Sequence, residues 1–393
     1  MVEGIMEIIA DRTQLSNCLQ KIQYILEKSS SLNNSENILI DTREGQLFIT
    51  AFDQNCSARA TLACEIREGG TISLNGRKLY DLVRSFKGND VTIAQEGGAT
   101  LVTLSDSKSS FKIISADIDE FPEINFKIPE KSIVINSEDL NQLIDLTIFS
   151  VARISDPRYN LQGVFLELEK INGLTEDGER SLEQREITPG THYFSLVATD
   201  GHRVAVARSD QFSGKIDMGE RKIFSRKSLQ EIKSIFNVSQ PLNLGFADGE
   251  LVVWGSGFIM ILRMLQGDFP DYRKMIPERF KHSLELDRDS LTAVLKQMNL
   301  LSQEHYKGVI LKVSESGLEI SIDNPEMGHG NTDLTVEFRG EPLEISFNID
   351  YLLDFLQAVP DERVVLKIND NRQPCLIRGY VNEEYMCGIM PIS

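Results

Sequence analysis

The chain is poor in the residue types that carry most covalent and metal chemistry. Of its 393 residues, five are cysteine, five histidine and one tryptophan. The cysteines (Cys18, Cys56, Cys64, Cys375 and Cys387) are scattered, odd in number and form no C-x-x-C pair. That spacing argues against a disulfide framework or a zinc site, and for small core thiols in a reducing cytoplasm. Long hydrophobic runs are missing too. A membrane helix needs roughly 20 apolar residues, and the most apolar stretch, residues 257–265, is broken by Arg263. The start carries Glu3, Glu7 and Asp11, unlike a signal peptide. Positive charge is scarce: 41 Lys and Arg against 59 Asp and Glu leave a net charge of −18. Taken globally, that opposes contact with phosphates.

Signatures of catalysis are also lacking. There is no G-x-S-x-G, P-loop or H-E-x-x-H. The most chemical-looking stretch is Thr199-Asp200-Gly201-His202-Arg203, where a His beside an Asp suggests general-base chemistry. The sequence favours the simpler reading of Asp200-Gly201 as the turn between strands over 194–198 and 204–208. Gly255-Ser256-Gly257 lacks the strand–turn–helix setting of a dinucleotide site. We read no catalytic residue, no metal ligand set and no cofactor cradle from this sequence.

What is present is a long threefold repeat. Asn75, Ser225 and Asn348 each follow an apolar residue and are good helix N-caps. Leu79, Leu229 and Leu352 lie four residues on, Leu82, Ile232 and Phe355 seven on, and Phe86, Phe236 and Val359 eleven on. That spacing puts one apolar stripe on a helix. A second set of caps, Asp11, Asn136 and Asp287, precedes Leu15, Leu140 and Leu291 by four residues. Between the helices run alternating segments with Gly, Asn and Asp turns, the pattern of antiparallel strands. The expected fold class is α+β, in three units at 1–129, 130–280 and 281–393, with a surface insertion near 169–191 in the second.

The scarce positive charge is not evenly spread. Residues 75–88 hold Arg77, Lys78, Arg84 and Lys87 against Asp81. Residues 221–233 hold Arg221, Lys222, Arg226, Lys227 and Lys233 against Glu231. Both are the second helix of their repeat. The third such helix has Asp350 and Asp354 and no basic residue, so the pattern is incomplete.

Residues 198–205, Ala-Thr-Asp-Gly-His-Arg-Val-Ala, resemble a signature of the bacterial sliding clamp family, the β subunit of DNA polymerase III. Phe269-Pro-Asp-Tyr-Arg273 with Ile276-Pro277, Phe347-Asn-Ile-Asp-Tyr351, Arg158-Tyr159 and the terminal Ile389-Met-Pro-Ile392 are similar to further family motifs, in the same order. The resemblance implies a head-to-tail homodimeric ring of three like domains per chain, with helices inside and sheets outside. It would encircle double-stranded DNA without reading sequence and perform no chemistry. By position, the family's partner pocket falls on Leu161, Thr199, Gly201, His202, Arg203, Val204, Pro270, Lys274, Met275, Asn348, Tyr351, Ile389, Met390, Pro391 and Ile392. It would receive short linear motifs of the polymerase III α and clamp-loader subunits, other polymerases and repair proteins. DNA contact falls on Arg77, Lys78, Arg84, Arg158, Tyr159, Arg226 and Lys227. The dimer interface falls on Phe111 and Ile113 against Leu300 and Leu301. Residues 29–37, Ser-Ser-Ser-Leu-Asn-Asn-Ser-Glu-Asn, depart from the family by lacking its basic residue. Two other readings stand beside this one: a hydrolase using His202 and Asp200, and a clamp-like acidic protein that oligomerises without holding DNA.

Overall fold

A computed structural model describes residues 6–26, 35–96, 99–170, 190, 192–216, 222–303 and 307–392. The insertion near 169–191, residues 27–34 and Arg221 therefore fall largely or wholly outside the described residues. Each of the three repeats contributes two helices: α1 (Arg12–Ile22) and α2 (Gly76–Ser85), α3 (Ser137–Ile148) and α4 (Arg226–Ile235), α5 (Arg288–Asn299) and α6 (Ile349–Ala358). All six begin at the expected caps. The side chains of Asp11, Asn75, Asn136, Ser225, Asp287 and Asn348 accept hydrogen bonds from the backbone N–H groups of Gln14, Lys78, Glu138, Ser228, Ser290 and Asp350. These bonds satisfy donors that a helix start leaves open. The last members of the expected stripe, Phe86, Phe236 and Val359, stand at the C-caps just past the helix ends, and all three are buried.

The helices form one layer. α1 packs against α2 and α4, and α3 against α4 and α6, while α6 also packs against α5. The other layer is β-sheet, antiparallel throughout the recorded pairings. Each repeat builds two four-stranded units, with a short extra edge strand on one unit of repeats one and two. Two of these units fuse across each repeat boundary. Strand Cys56–Leu62 of the first repeat pairs with Phe258–Leu262 of the second, Ala60 opposite Phe258, in a nine-stranded sheet. Strand Arg203–Ser209 of the second pairs with Tyr385–Ile389 of the third, Arg203 opposite Ile389, in an eight-stranded sheet.

Two sheets stay unfused. The five-stranded sheet of the first repeat ends at strand Ser110–Ile114, and the four-stranded sheet of the third ends at Gly328–Leu334. Among the described residues no helix is long and apolar enough to cross a membrane.

Candidate functional site

The Thr199–Arg203 segment is a strand turn at the second repeat boundary, between strands His192–Thr199 and Arg203–Ser209. Gly201 has φ +88°, a conformation that disfavours any residue with a Cβ. Thr199 Oγ1 accepts from Gly201 N (3.0 Å) and donates to Arg203 O (2.6 Å). Asp200 Oδ1 accepts from His202 N (2.9 Å) and Arg203 N (3.0 Å), and Asp200 Oδ2 from Arg203 Nε (3.1 Å). The Asp200 carboxylate is thus engaged by backbone and guanidinium, and the pair is a turn rather than an acid–base couple.

Arg203, among the expected pocket residues, sits in the domain junction. The side chain is only 7% exposed. Nη1 donates to Asp354 Oδ2 (2.8 Å) and Nη2 to Phe149 O (2.7 Å). The guanidinium lies over the rings of Tyr351 and Phe149, 4.4 and 5.2 Å from their centroids. Burial by itself would lower its pKa, but the bond to Asp354 and the charges of Asp200 and Asp354 outweigh this and raise it. The residue is a permanent cation stapling the second repeat to helix α6 of the third.

The other expected pocket residues gather around this staple. Met390 N donates to His202 O (2.9 Å), and Ile392 N to Ser346 O (2.8 Å), so the C-terminal segment is laid against both repeats. Met390 and Ile392 keep exposed side chains, and Ile389 is fully buried. Gly388 lets the chain pass close to Val204, Ile276 and the Met275 carbonyl: a Cβ there would stand 3.1, 3.5 and 3.7 Å from them. Leu161 is buried in the short turn Tyr159–Leu161, whose Asn160 donates to Asp268 O (2.6 Å). Pro270 and Lys274 are exposed and Met275 half-buried on the segment between the second and third repeats. Asn348 and Tyr351 come from the start of α6.

Beside the staple lies a polar cleft of about 550 Å³. It takes in His202, Arg203, Asn348 and Tyr351 of the expected pocket, and also Arg158 and Arg226 of the expected DNA set. Sequence reasoning treated those two sets as separate surfaces; here they share one wall. Arg158 is folded onto the pocket turn, paired with Asp156 (2.7 Å) and donating to Asp200 O (2.9 Å). Of the other DNA candidates, Lys78, Arg84 and Arg226 are exposed, as is Tyr159 (73%). Arg77 donates to Leu26 O (2.8 Å) at the end of the α1 region. The sequence reading missed Arg153 and Ile154, exposed on the loop after α3 and lining a second cleft with Arg226 and Lys227.

Comparison with known proteins decides what this geometry belongs to. Three family models match in chain order: the N-terminal domain of the DNA polymerase III beta subunit over residues 6–125, its central domain over 185–271 and its C-terminal domain over 273–393. The chain belongs to the DNA polymerase III beta subunit family. The beta sliding clamp of Vibrio cholerae is 29% identical over 392 residues, covering 98% of this chain and all of that one. The crystal structure of the subunit from Pseudomonas aeruginosa superposes with a TM-score of 0.86 at 26% identity, over 98% of this chain and 100% of that one. A Pseudomonas aeruginosa clamp bound to griselimycin gives 0.86 at 25% identity and 99% of each chain. This clamp is accordingly an accessory replication subunit rather than a catalyst, and the hydrolase reading of His202 and Asp200 is set aside.

The clamp's first repeat boundary holds a constellation that no motif or spacing announces. Asp53, fully buried, accepts from the N–H groups of Asn55 and Cys56 (both 2.7 Å) and is bonded by Lys227 Nζ from helix α4. Cys56 Sγ lies 2.6 Å from Glu231 Oε2. Lys227 is therefore drawn towards the domain joint, and Lys233 is paired with Asp145. Asp53, Cys56 and Glu231 offer ligand atoms within 4.8 Å of one another, close enough to hold a metal ion, but the Lys227 ammonium already sits among them. Burial, then the charge of Asp53, push the Glu231 carboxyl up to about 8.

Proposed function

We propose that two copies of this chain close head to tail into a ring around duplex DNA, and that the second repeat boundary tethers partner proteins to it. The observation that carries the ring is the sheet topology. Two junctions between repeats are made by the same device, the third strand of one unit pairing with the last strand of another. Strand Gly328–Leu334 is the remaining third strand and Ser110–Ile114 the remaining last strand. Both are edges, which natural proteins rarely leave open. A second copy related by a two-fold axis would pair them and close the ring.

The side chains at these edges suit the role. Ile114 is 75% and Leu300 79% exposed, and Phe111 is also exposed. Ile113 and Leu301 are partly buried against the core, and Ile114 adds an exposed apolar side chain beside them. Inside the ring, Lys78, Arg84, Arg153 and Arg226 would meet phosphates, which carry no sequence information; the grip would be topological. The acidic remainder of the surface discourages DNA from the wrong face. Short peptides of the polymerase, the clamp loader and repair proteins would enter beside Val204, between Met275 and Met390, whose flexible thioether side chains adapt to varied partners. Griselimycin, bound by the Pseudomonas aeruginosa clamp, would use the same place.

Retention on circular and linear DNA tests the ring. The protein is loaded onto nicked plasmid by its cognate loader and passed through a sizing column in high salt. We expect it to stay with the circle and to be lost once the plasmid is linearised. Equal, salt-sensitive loss from both forms would overturn ring closure.

A further inference from the structure

The partner pocket's outer wall is held by side chains rather than by strand pairing. Pro270, Lys274 and Met275 lie on a segment with no strand of its own, between Phe258–Leu262 and His282–Asp287. Among the described residues, the backbone hydrogen bonds of residues 269–278 are internal: Lys274 N to Asp271 O (3.2 Å) and Ile276 N to Arg273 O (3.3 Å). Side chains must therefore fix this wall against the sheet. Phe269 does part of it, stacked on Phe165 at 4.9 Å. Apolar burial is non-directional, however, and adds no hydrogen bond that sets the segment's position along the sheet.

The directional bonds come from two neighbouring residues in the short helix Tyr272–Met275. Tyr272 Oη donates its one proton to Glu167 Oε1 and stands 3.2 Å from Glu169 Oε1. Arg273 Nη2 donates to Glu167 Oε1 (2.9 Å) and to Glu169 Oε1. Both glutamates stand on strand Gly163–Lys170 with largely buried side chains. Glu169 is braced from behind by Arg208 Nε (2.9 Å) and Ser195 Oγ (3.3 Å). Lys274 and Met275 follow directly in the chain, so whatever fixes Tyr272 and Arg273 fixes them. Two carboxylates this close repel each other, and burying such a set gives little net stability over an apolar replacement. Its return is geometry.

We infer that Tyr272 and Arg273, held by Glu167 and Glu169, are the positioning residues of the partner pocket, setting the wall on which affinity depends. This rests on reading the second repeat boundary as the partner site. Griselimycin is the probe, titrated by calorimetry into the full-length clamp and its variants. Tyr272→Phe keeps the ring and removes only the hydroxyl; Arg273→Ala removes the charge. Each is expected to weaken binding about tenfold, the scale of a lost charge-assisted bond. Arg273→Lys, which keeps a donor for one carboxylate, should recover most of the loss. Melting temperature and dimer mass are recorded alongside. Affinity within about twofold of the parent in both variants, or no recovery with Lys at equal stability, would overturn the inference. Met390→Glu separates the two readings. If it abolishes binding while the tether variants do not weaken it, the pocket stands and the tether falls. If Met390→Glu binds as the parent does, or the parent does not bind, the pocket reading falls and takes the tether with it.

Discussion

At the scale of single residues, Glu231 makes the sharpest prediction. Its carboxyl is buried at the first repeat boundary, beside Asp53, and its pKa is raised from 4.5 to about 8. The folded chain therefore keeps a proton that the unfolded chain gives up above about pH 4.5. A raised folded pKa means this contribution to stability is fully present below the unfolded value and is lost as pH rises through the folded one. The window is thus about pH 4.5 to 8, and the amount lost across it is on the order of a few kcal/mol. Glu231→Gln carries a neutral side chain of the same shape at every pH. Unfolding midpoints of parent and variant should converge near pH 5 and separate towards pH 8, with the variant the more stable. Parallel profiles would mean that the carboxyl is ionised throughout and that Lys227, not a proton, neutralises it.

At the scale of elements, the helix starts are the most legible feature of this chain. A cap needs a particular residue type at one place, between a strand end and an apolar stripe, and all six caps met both conditions. Removing one should cost about 1 kcal/mol. Asn75→Ala, which leaves the Lys78 N–H without its acceptor, is expected to lower the denaturant midpoint without changing griselimycin affinity. No change in the midpoint would show that water caps the helix equally well. One turn was legible for the same local reason: Asp200-Gly201, expected between two strands, is such a turn, with Gly201 at φ +88°. What was not legible is long-range. Lys227 and Asp53 are separated by 174 positions, and Tyr272 and Glu167 by 105. No periodicity or cap rule reaches across such distances, so a lysine counted towards DNA turned out to be shared with a domain joint. Nor does any local rule show which face a residue presents in an edge strand or at a helix end: that depends on register, and one position decides it, as between Ile113, partly buried, and Ile114, exposed.

At the scale of the whole molecule, ring closure depends on which end meets which. Within the chain, the third strand of one unit always meets the last strand of another, never its like. A dimer obeying that rule has two identical junctions, each joining the Leu300 end of one copy to the Ile114 end of the other. Ile114→Arg alone damages both junctions, and so does Leu300→Glu alone; each variant is expected to be monomeric by light scattering and lost from circular DNA. A mixture behaves differently. When one copy carries Ile114→Arg and the other Leu300→Glu, one junction holds both substitutions with opposite charges, and the other holds neither. Mixing the two monomeric variants should therefore restore a dimer, with one junction at full strength. An isologous pairing predicts the reverse, since the variant altered at the unused end would dimerise on its own. Dimers from either single variant would thus refute the head-to-tail ring, whereas dimers appearing only on mixing would require it. Griselimycin should bind the monomers as it binds the parent, because the junction between the second and third repeats lies wholly within one chain.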